Sequence, residues 1–309
     1  MSATFGRSSG LAEDPMFIAT LIAEGLTDGH LDQAYDVLDR TTACGADYRW
    51  RWLEEGKAAD ISFSNDPGNA RAVLESEFPG IDIIVQPEAG REKKLLVADM
   101  DSTMITVECI DELADYAGIK AQIAEVTERA MRGELDFASA LDARVALLKG
   151  LEESAIDRCL AERVRLSPGA ETLVKTMRAR GALTILVSGG FTRFAEPVGE
   201  MLGFDRVIAN RLEIAEAKLT GTVTKPIVDS STKESTLLDA LAERGLAAEQ
   251  SLAVGDGAND LAMIRKAGLG VAYRAKPIVA AAAGARVDHT DLTALLHAQG
   301  ITRAEWVVG

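Results

Sequence analysis

Cysteine is scarce in this chain and badly placed for cross-linking. The three that occur, Cys44, Cys109 and Cys159, are odd in number, far apart and in no CxxC pattern, which argues against a disulfide framework and a zinc site. No apolar run approaches the roughly 20 residues of a membrane-spanning helix. The opening stretch MSATFGRSSGLAEDPMF lacks a basic region followed by a long apolar core, so no signal peptide is read and a cytoplasmic protein is expected. Basic charge is in deficit too: 33 Lys and Arg face 48 Asp and Glu, a net charge of -15. Such a surface repels nucleic acid and anionic lipid, so neither nucleic acid nor membrane is expected as a partner. It also repels phosphate, so any phosphate site must assemble its own cations. Aromatics are few, at 5%, and the apolar content leans on Ala, Leu and Val, which suits helices packed on parallel strands.

In 309 residues two or three folding units are expected. No fixed-period repeat or low-complexity tract separates them, so the boundaries come from changes in periodicity. MFIATLIA (16–23) reads as a strand, GHLDQAYDVLDR (29–40) as an amphipathic helix, and DYRWRWLEEGKAADISF (47–63) alternates as a hairpin about Gly56. NARAVLESEF (69–78) is a second helix and IDIIVQ (81–86) a last strand. The order βαββαβ predicts an α+β, ferredoxin-like unit over residues 1–90, and the polar PEAGREKK (87–94) reads as a linker.

Beyond it the grammar changes. LLVA, LTILVSGG, SLAVGDG and LGVAY are apolar strand runs separated by helical patterns, which predicts an α/β, doubly wound parallel sheet. Between residues 106 and 166 the pattern is wholly helical, as an inserted cap would be. The expected division is a core of 94–105 and 167–309 with a cap of 106–166.

Ligands of an open parallel sheet bind beyond the carboxyl ends of its strands. Three strand runs here end in DMDST, SGG and GDGAND, so all three clusters should face one crevice. Asp99 and Asp101, one residue apart, repel each other unless a cation lies between them or one holds a proton. Taken singly, each cluster has an ordinary explanation: GDG is a loop, SGG a turn before a helix, and Lys233 in SSTKEST a solvated lysine. DGAND lacks EF-hand spacing, no Walker A or GxGxxG occurs, and Ser188 lacks the preceding glycine of a GxSxG elbow. Taken together they make one site. Asp99, Asp256 and Asp260 offer hard oxygens suited to Mg²⁺. Ser188, the backbone N–H groups of SGG and the Lys233 ammonium can hold phosphoryl oxygens. One aspartate is then free to be a nucleophile, and its neighbour an acid and base.

DxDST, SGG, a separated Lys and GDGxND resemble the haloacid dehalogenase (HAD) superfamily of phosphohydrolases, from about residue 94 to the C-terminal end. The cap sequences ECIDELADYAG and RAMRGELDFASALDARVALLKG are similar to those of its phosphoserine phosphatases. The N-terminal βαββαβ region is similar to the ACT-like, regulatory-type domain of many bacterial members. The resemblance implies a HAD-like, Rossmann-like core and Mg²⁺-dependent hydrolysis of O-phospho-L-serine, the last step of serine biosynthesis. It implies an aspartyl-phosphate on Asp99, with Asp101 protonating the leaving seryl oxygen and then activating water. Metal would be held by Asp99, Asp256 and the backbone carbonyl of Asp101, with Asp260 close by. Ser188, Gly189 and Lys233 would grip the phosphoryl oxygens and Asn259 would assist. Glu108 would pair with the substrate ammonium and Arg144 with its carboxylate; without the resemblance both read as surface charges on amphipathic helices. Phe137 and Met131 would line an apolar wall.

Three other readings compete with this one. A phospho-acceptor receiver domain lacks the helical insertion and keeps its acidic pair on a separate strand. An amino-acid sensor with an inert phosphatase half fits poorly with the intact set Asp99, Asp101, Ser188, Lys233 and Asp256. Transfer of the phosphoryl group to an acceptor such as homoserine stays open, as do a homodimer and an amino-acid ligand on the N-terminal unit.

Overall fold

The computed structural model describes residues 16–41, 50–132 and 134–308. The opening stretch, Cys44, the start of the hairpin at Asp47 and the Met131 side chain lie outside what is described.

The N-terminal unit runs β1 (Phe17–Ile22), α1 (Asp28–Thr41), β2 (Arg51–Glu54), β3 (Ala58–Phe63), α2 (Pro67–Glu77) and β4 (Asp82–Pro87). Its antiparallel sheet has the order β4-β1-β3-β2, the ferredoxin-like arrangement expected from the strand grammar. Strand alternation divides the side chains between two faces. Ala19, Leu21, Ala59, Ile61 and Ile83 meet Leu31, Ala34 and Leu38 of α1, which recur at helical spacing. Asp66 caps α2 by accepting from Asn69 N at 3.1 Å, with Pro67 in the first turn.

The other face of this sheet packs on the rest of the protein. Ile22, Ala58 and Ile84 join the main apolar cluster of the core. Between them are buried polar groups, each with a partner. Asp60 accepts from Thr20 Oγ1 at 2.8 Å and pairs with Arg91 at 2.8 Å, and Gln86 Nε2 donates to Ala298 O at 2.6 Å. Asp82 accepts from the backbone N–H groups of Asp288, His289 and Thr290. Residues 87–90 are exposed as a linker's would be, but the second half of segment 87–94 is not the solvated stretch its polarity suggests. Arg91 bridges Asp60 to the carbonyls of His297 and Ala298. Lys93 is buried, donating to the Gly90 and Glu249 carbonyls, and burial pulls its pKa down to about 8.

The remainder runs β5 (Leu95–Ala98), α3 (Cys109–Tyr116), α4 (Lys120–Met131), α5 (Phe137–Leu147), α6 (Ser154–Arg163), α7 (Ala170–Ala179), β6 (Leu183–Phe191), α8 (Thr192–Leu202) and β7 (Arg206–Asn210). It continues through β8 (Leu212–Ala215), β9 (Lys218–Val223), α9 (Ser230–Arg244), β10 (Ser251–Gly255), α10 (Leu261–Lys266), β11 (Leu269–Tyr273), α11 (Pro277–Ala282), β12 (Ala285–Val287) and α12 (Ala294–Ala298). The six-stranded sheet has the order β12-β11-β10-β5-β6-β7, parallel throughout. β5 is central, with Leu96 and Ala98 in one apolar cluster and Leu95 and Val97 in another, which is why its sequence does not alternate.

Helices α3 to α6 are inserted between β5 and β6. The chain enters and leaves this insertion side by side: Thr106 N donates to Arg165 O and Ser167 N to Met104 O, both at 2.9 Å. The β8–β9 hairpin was not anticipated, and it grips the insertion. Gly150 N donates to Leu219 O, Leu219 N to Leu151 O and Glu153 N to Ala217 O. Lys225 adds an ion pair to Asp142 at 2.7 Å. Among the described residues no helix is long and apolar enough to cross a membrane.

Candidate active site

Strands β10, β5 and β6 are neighbours at the centre of the sheet, so the segments that follow them share one edge. After β5, Asp99 is held by its N–H on Val254 O at 3.0 Å, and a tight turn follows in which Ile105 N reaches back to Met100 O. Ser102 adopts φ 55° inside this turn, in the left-handed region that costs a side chain roughly 1–2 kcal/mol. The conformation lets Ser102 Oγ donate to Glu108 Oε1 at 2.7 Å, while Asp101 Oδ1 accepts from Cys109 N at 3.3 Å. One turn thus sets Asp99, Asp101 and Glu108 around a single space.

After Ser188, β6 leaves its ladder with β7 and rejoins it at Phe191, so Gly189 and Gly190 bulge at the sheet edge just before α8. Gly190 N donates to Ser188 Oγ at 2.9 Å. A Cβ on Gly190 would lie 2.9 Å from Asp101 Oδ2 and 3.0 Å from Ser188 Oγ, so a larger residue would displace Asp101. The ring of Phe137, from the inserted helices, covers Gly189, its Cζ 3.2 Å from where a Cβ would stand.

After β10, Asp256 and Asp260 flank a short turn in which Asp260 Oδ2 accepts from Gly257 N at 3.0 Å. Asn259 Oδ1 lies over Gly257. Thr103 Oγ1 is 3.4 Å from Asp256 Oδ1. Lys233 projects from the first turn of α9, whose N-cap Asp229 accepts from Thr232 N. A cation there opposes the helix dipole by up to about 1 kcal/mol. Its position is set instead by two buried carboxylates: Nζ is 2.6 Å from both Asp99 Oδ1 and Asp260 Oδ1.

Burial governs the charges. It pushes Asp99 well above the usual carboxylate range, with Asp260 adding to the push and Lys233 opposing it. Burial and then Glu108 raise Asp101 to about 7, and burial and then Asp260 raise Asp256 to about 6. Burial alone would lower the Lys233 pKa, but Asp99 and Asp260 outweigh it and raise it. Asp99, Asp256 and Asp260 each offer a carboxylate oxygen within 4.8 Å of the others. Three carboxylates around one ammonium leave negative charge uncompensated, and all donors are hard oxygens, so the cluster fits a divalent cation.

The inserted helices add opposite charges. Glu108 is exposed just before α3, and Arg144 is half-buried on α5, its Nε donating to Ala140 O. Burial lowers the Arg144 pKa, and the negative charges of Asp111, Glu108 and Asp101 counteract it. Contacts at this sheet edge thus link Asp99, Lys233 and Asp260, and bring Asp101 beside Gly190 and Ser188. Arg144 stands on α5 with no hydrogen-bond partner among the described residues but Ala140 O, and the Met131 side chain is outside the described residues. Sequence reasoning missed Asn210, which hydrogen-bonds the Gly189 carbonyl; an Asn beside an Arg at a strand end carries no signal beyond a turn.

Residues 96–265 match the haloacid dehalogenase-like hydrolase family. A phosphoserine phosphatase of Streptomyces coelicolor is 46% identical over 243 residues, 78% of this chain and 59% of that protein. The match thus spans less than two thirds of that relative's length. A phosphoserine phosphatase of Streptococcus thermophilus is 47% identical over 200 residues, 65% of this chain and 93% of its own. The crystal structure of a HAD family hydrolase from Salmonella enterica serovar Typhi aligns with a TM-score of 0.81 at 29% identity, covering 91% of this chain and 97% of that one.

Proposed function

The chain belongs to the haloacid dehalogenase-like hydrolases, and on that premise we propose that it is a cytoplasmic, Mg²⁺-dependent phosphatase converting O-phospho-L-serine to L-serine and phosphate, the last step of serine biosynthesis. What carries the choice of substrate is the pair Glu108, held by Ser102 Oγ in the turn that bears Asp101, and Arg144, half-buried on α5 of the insertion: an anion and a cation of the kind an amino-acid zwitterion requires. The relatives named as phosphoserine phosphatases support it.

Asp99, Asp256 and the backbone carbonyl of Asp101 would hold the metal, which supplies positive charge that lets an anionic carboxylate approach an anionic phosphate. Asp260, with one oxygen on Lys233 and the other on Gly257 N, braces the lysine behind the nucleophile. Asp99 attacks phosphorus, the bond to the seryl oxygen breaks, and Asp101 gives that oxygen its proton. A carboxyl with a pKa of about 7 populates both its protonated and ionised forms at neutral pH, as a group that gives a proton and then takes one back from water must. The water oxygen then attacks phosphorus and frees Asp99. Ser188 Oγ, the Gly189 N–H and Lys233 hold the phosphoryl oxygens, with Asn259 beside them. Glu108 receives the substrate ammonium, and the Arg144 fork its carboxylate. Residues 106–166 act as the cap, 94–105 and 167–309 as the catalytic core, and 1–90 as an ACT-like accessory unit.

The test is phosphate release from a panel of phosphorylated metabolites, with and without Mg²⁺, and with homoserine offered as acceptor. Phosphoserine should be preferred, turnover should stop on chelation, and homoserine should gain no phosphate. Equal turnover of phosphates lacking an amino-acid group would sink the substrate assignment.

A further inference from the structure

We propose that Asn210 is a positioning residue that locks the phosphoryl-gripping turn to the helix bearing Lys233; the proposal rests on the phosphatase reading above. Gly189 and Gly190 stand outside the β6–β7 ladder, and two successive glycines have wide backbone freedom. The peptide joining them is nevertheless pinned at both ends. Asn210 Nδ2 donates to Gly189 O at 2.8 Å, and Gly190 N donates to Ser188 Oγ at 2.9 Å.

The same amide reaches across to a second segment. Its Oδ1 accepts from Val228 N at 2.7 Å, and its Nδ2 lies 3.3 Å from Val228 O. Val228 precedes Asp229, the N-cap of α9, and Lys233 is in the first turn of that helix. Asn210 is 2% exposed, so water cannot stand in for these bonds. One buried side chain thereby ties the turn carrying Ser188 and Gly189 to the helix carrying Lys233. Their spacing is set before phosphate arrives, which is the preorganisation that transition-state stabilisation needs.

The chemistry singles out asparagine. A planar group must donate toward two carbonyls and accept from one N–H; aspartate cannot donate, leucine does neither, and glutamine is a methylene too long.

The test compares Asn210→Asp, which keeps size and the acceptor for Val228, with Asn210→Ala, each assayed well below its melting temperature. Three quantities are read: kcat and KM for O-phosphoserine, the same for p-nitrophenyl phosphate, and the inhibition constant of inorganic phosphate. Both variants should lose on the order of 100-fold in kcat/KM on both substrates alike, with weaker inhibition by phosphate. Folded Asn210→Asp with parental kinetics would overturn the proposal, as would lost activity at an unchanged phosphate inhibition constant. A measurement on the unaltered protein guards against variants that do not fold. The Gly190 and Val228 amides should exchange slowly with and without phosphate; fast exchange that only phosphate suppresses would also overturn it. If phosphoserine is not turned over but aryl phosphate shows the Asn210 dependence, the substrate reading falls and this one stands. If phosphoserine is hydrolysed and both variants match the parent, the reverse holds.

Discussion

The ammonium of Lys233 lies 2.6 Å from Oδ1 of Asp99, with both side chains closed off from water. Removing that charge strands the carboxylates of Asp99 and Asp260 together. Breaking a buried ion pair from one side costs roughly 3–5 kcal/mol. In chelator at pH 7, Lys233→Met should lose about that much unfolding free energy, and with Mg²⁺ restored it should show no measurable turnover. Lys233 opposes the burial that raises the Asp99 pKa, so without the ammonium the folded state holds a proton on Asp99 more tightly still. The deficit should therefore shrink as pH falls from 7 to 5, and denaturant titrations at the two pH values check this.

Asp99→Asn should abolish turnover, because an amide is a poor nucleophile and a poor metal ligand. Asp101→Asn should be severely slowed on phosphoserine, yet accumulate phosphoenzyme from an aryl phosphate, whose leaving group needs no proton. Acid-quenched labelling checks both, and near-normal phosphoserine turnover by Asp99→Asn would remove the covalent route.

Glu108→Gln and Arg144→Ala should each cost roughly 2–5 kcal/mol in kcat/KM for phosphoserine, since a desolvated substrate charge loses its partner. An aryl phosphate has neither an ammonium nor a carboxylate, so its hydrolysis should hardly change. Equal losses on both substrates would mean that these residues support the fold or the metal site.

His297 supplies a pH dependence far from the chemistry. Its Nε2 lies 3.1 Å from Glu54 Oε2 at the junction of the N-terminal sheet with α12, and its ring is 4.8 Å from that of Trp306. Burial lowers its pKa below the ordinary 6.5, with Glu54, Asp291 and Asp60 pulling the other way. The folded state therefore resists protonation that the unfolded chain accepts below 6.5. Its contribution to stability is whole above that pH and is lost as pH falls toward the folded-state value. His297→Gln should flatten the loss of unfolding free energy between pH 6.5 and 5; an unchanged slope would count against this.

A chain starting at Arg91 keeps every residue of the proposed site. It loses the Asp82 carboxylate on the 288–290 backbone, the Asp60 partner of Arg91 and the packing of Ile22, Ala58 and Ile84. It should retain metal-dependent phosphatase activity per folded molecule, but be less stable by at least about 3 kcal/mol. A folded, inactive product would show that residues 1–90 support the chemistry.

The catalytic cluster was legible in the sequence because each part follows a recognisable strand and lies in a few adjacent letters, as Asp99 and Asp101 do. Partnerships spanning long stretches of chain were not. Nothing local announces that Arg91 meets Asp60, or that Lys233 lies between Asp99 and Asp260, so 87–94 read as solvated and Lys233 only as a phosphate ligand. The strands that escaped notice, β7, β8, β9 and β12, are short or mixed in polarity, lying at sheet edges or in the two-stranded hairpin. Edge strands need not present a continuous apolar run. Asn210 went unread for the same reason, because its value depends on what Gly189 and Val228 do in space.

The hairpin that grips the inserted helices gives that insertion a third mooring beside its two covalent ones. A flap held at two adjacent points can swing wide, whereas one also stitched along Leu219 must tilt about the line joining its anchors. Any such tilt is restrained on the β9 side, where residues 150–153 are bonded to Leu219 and Ala217.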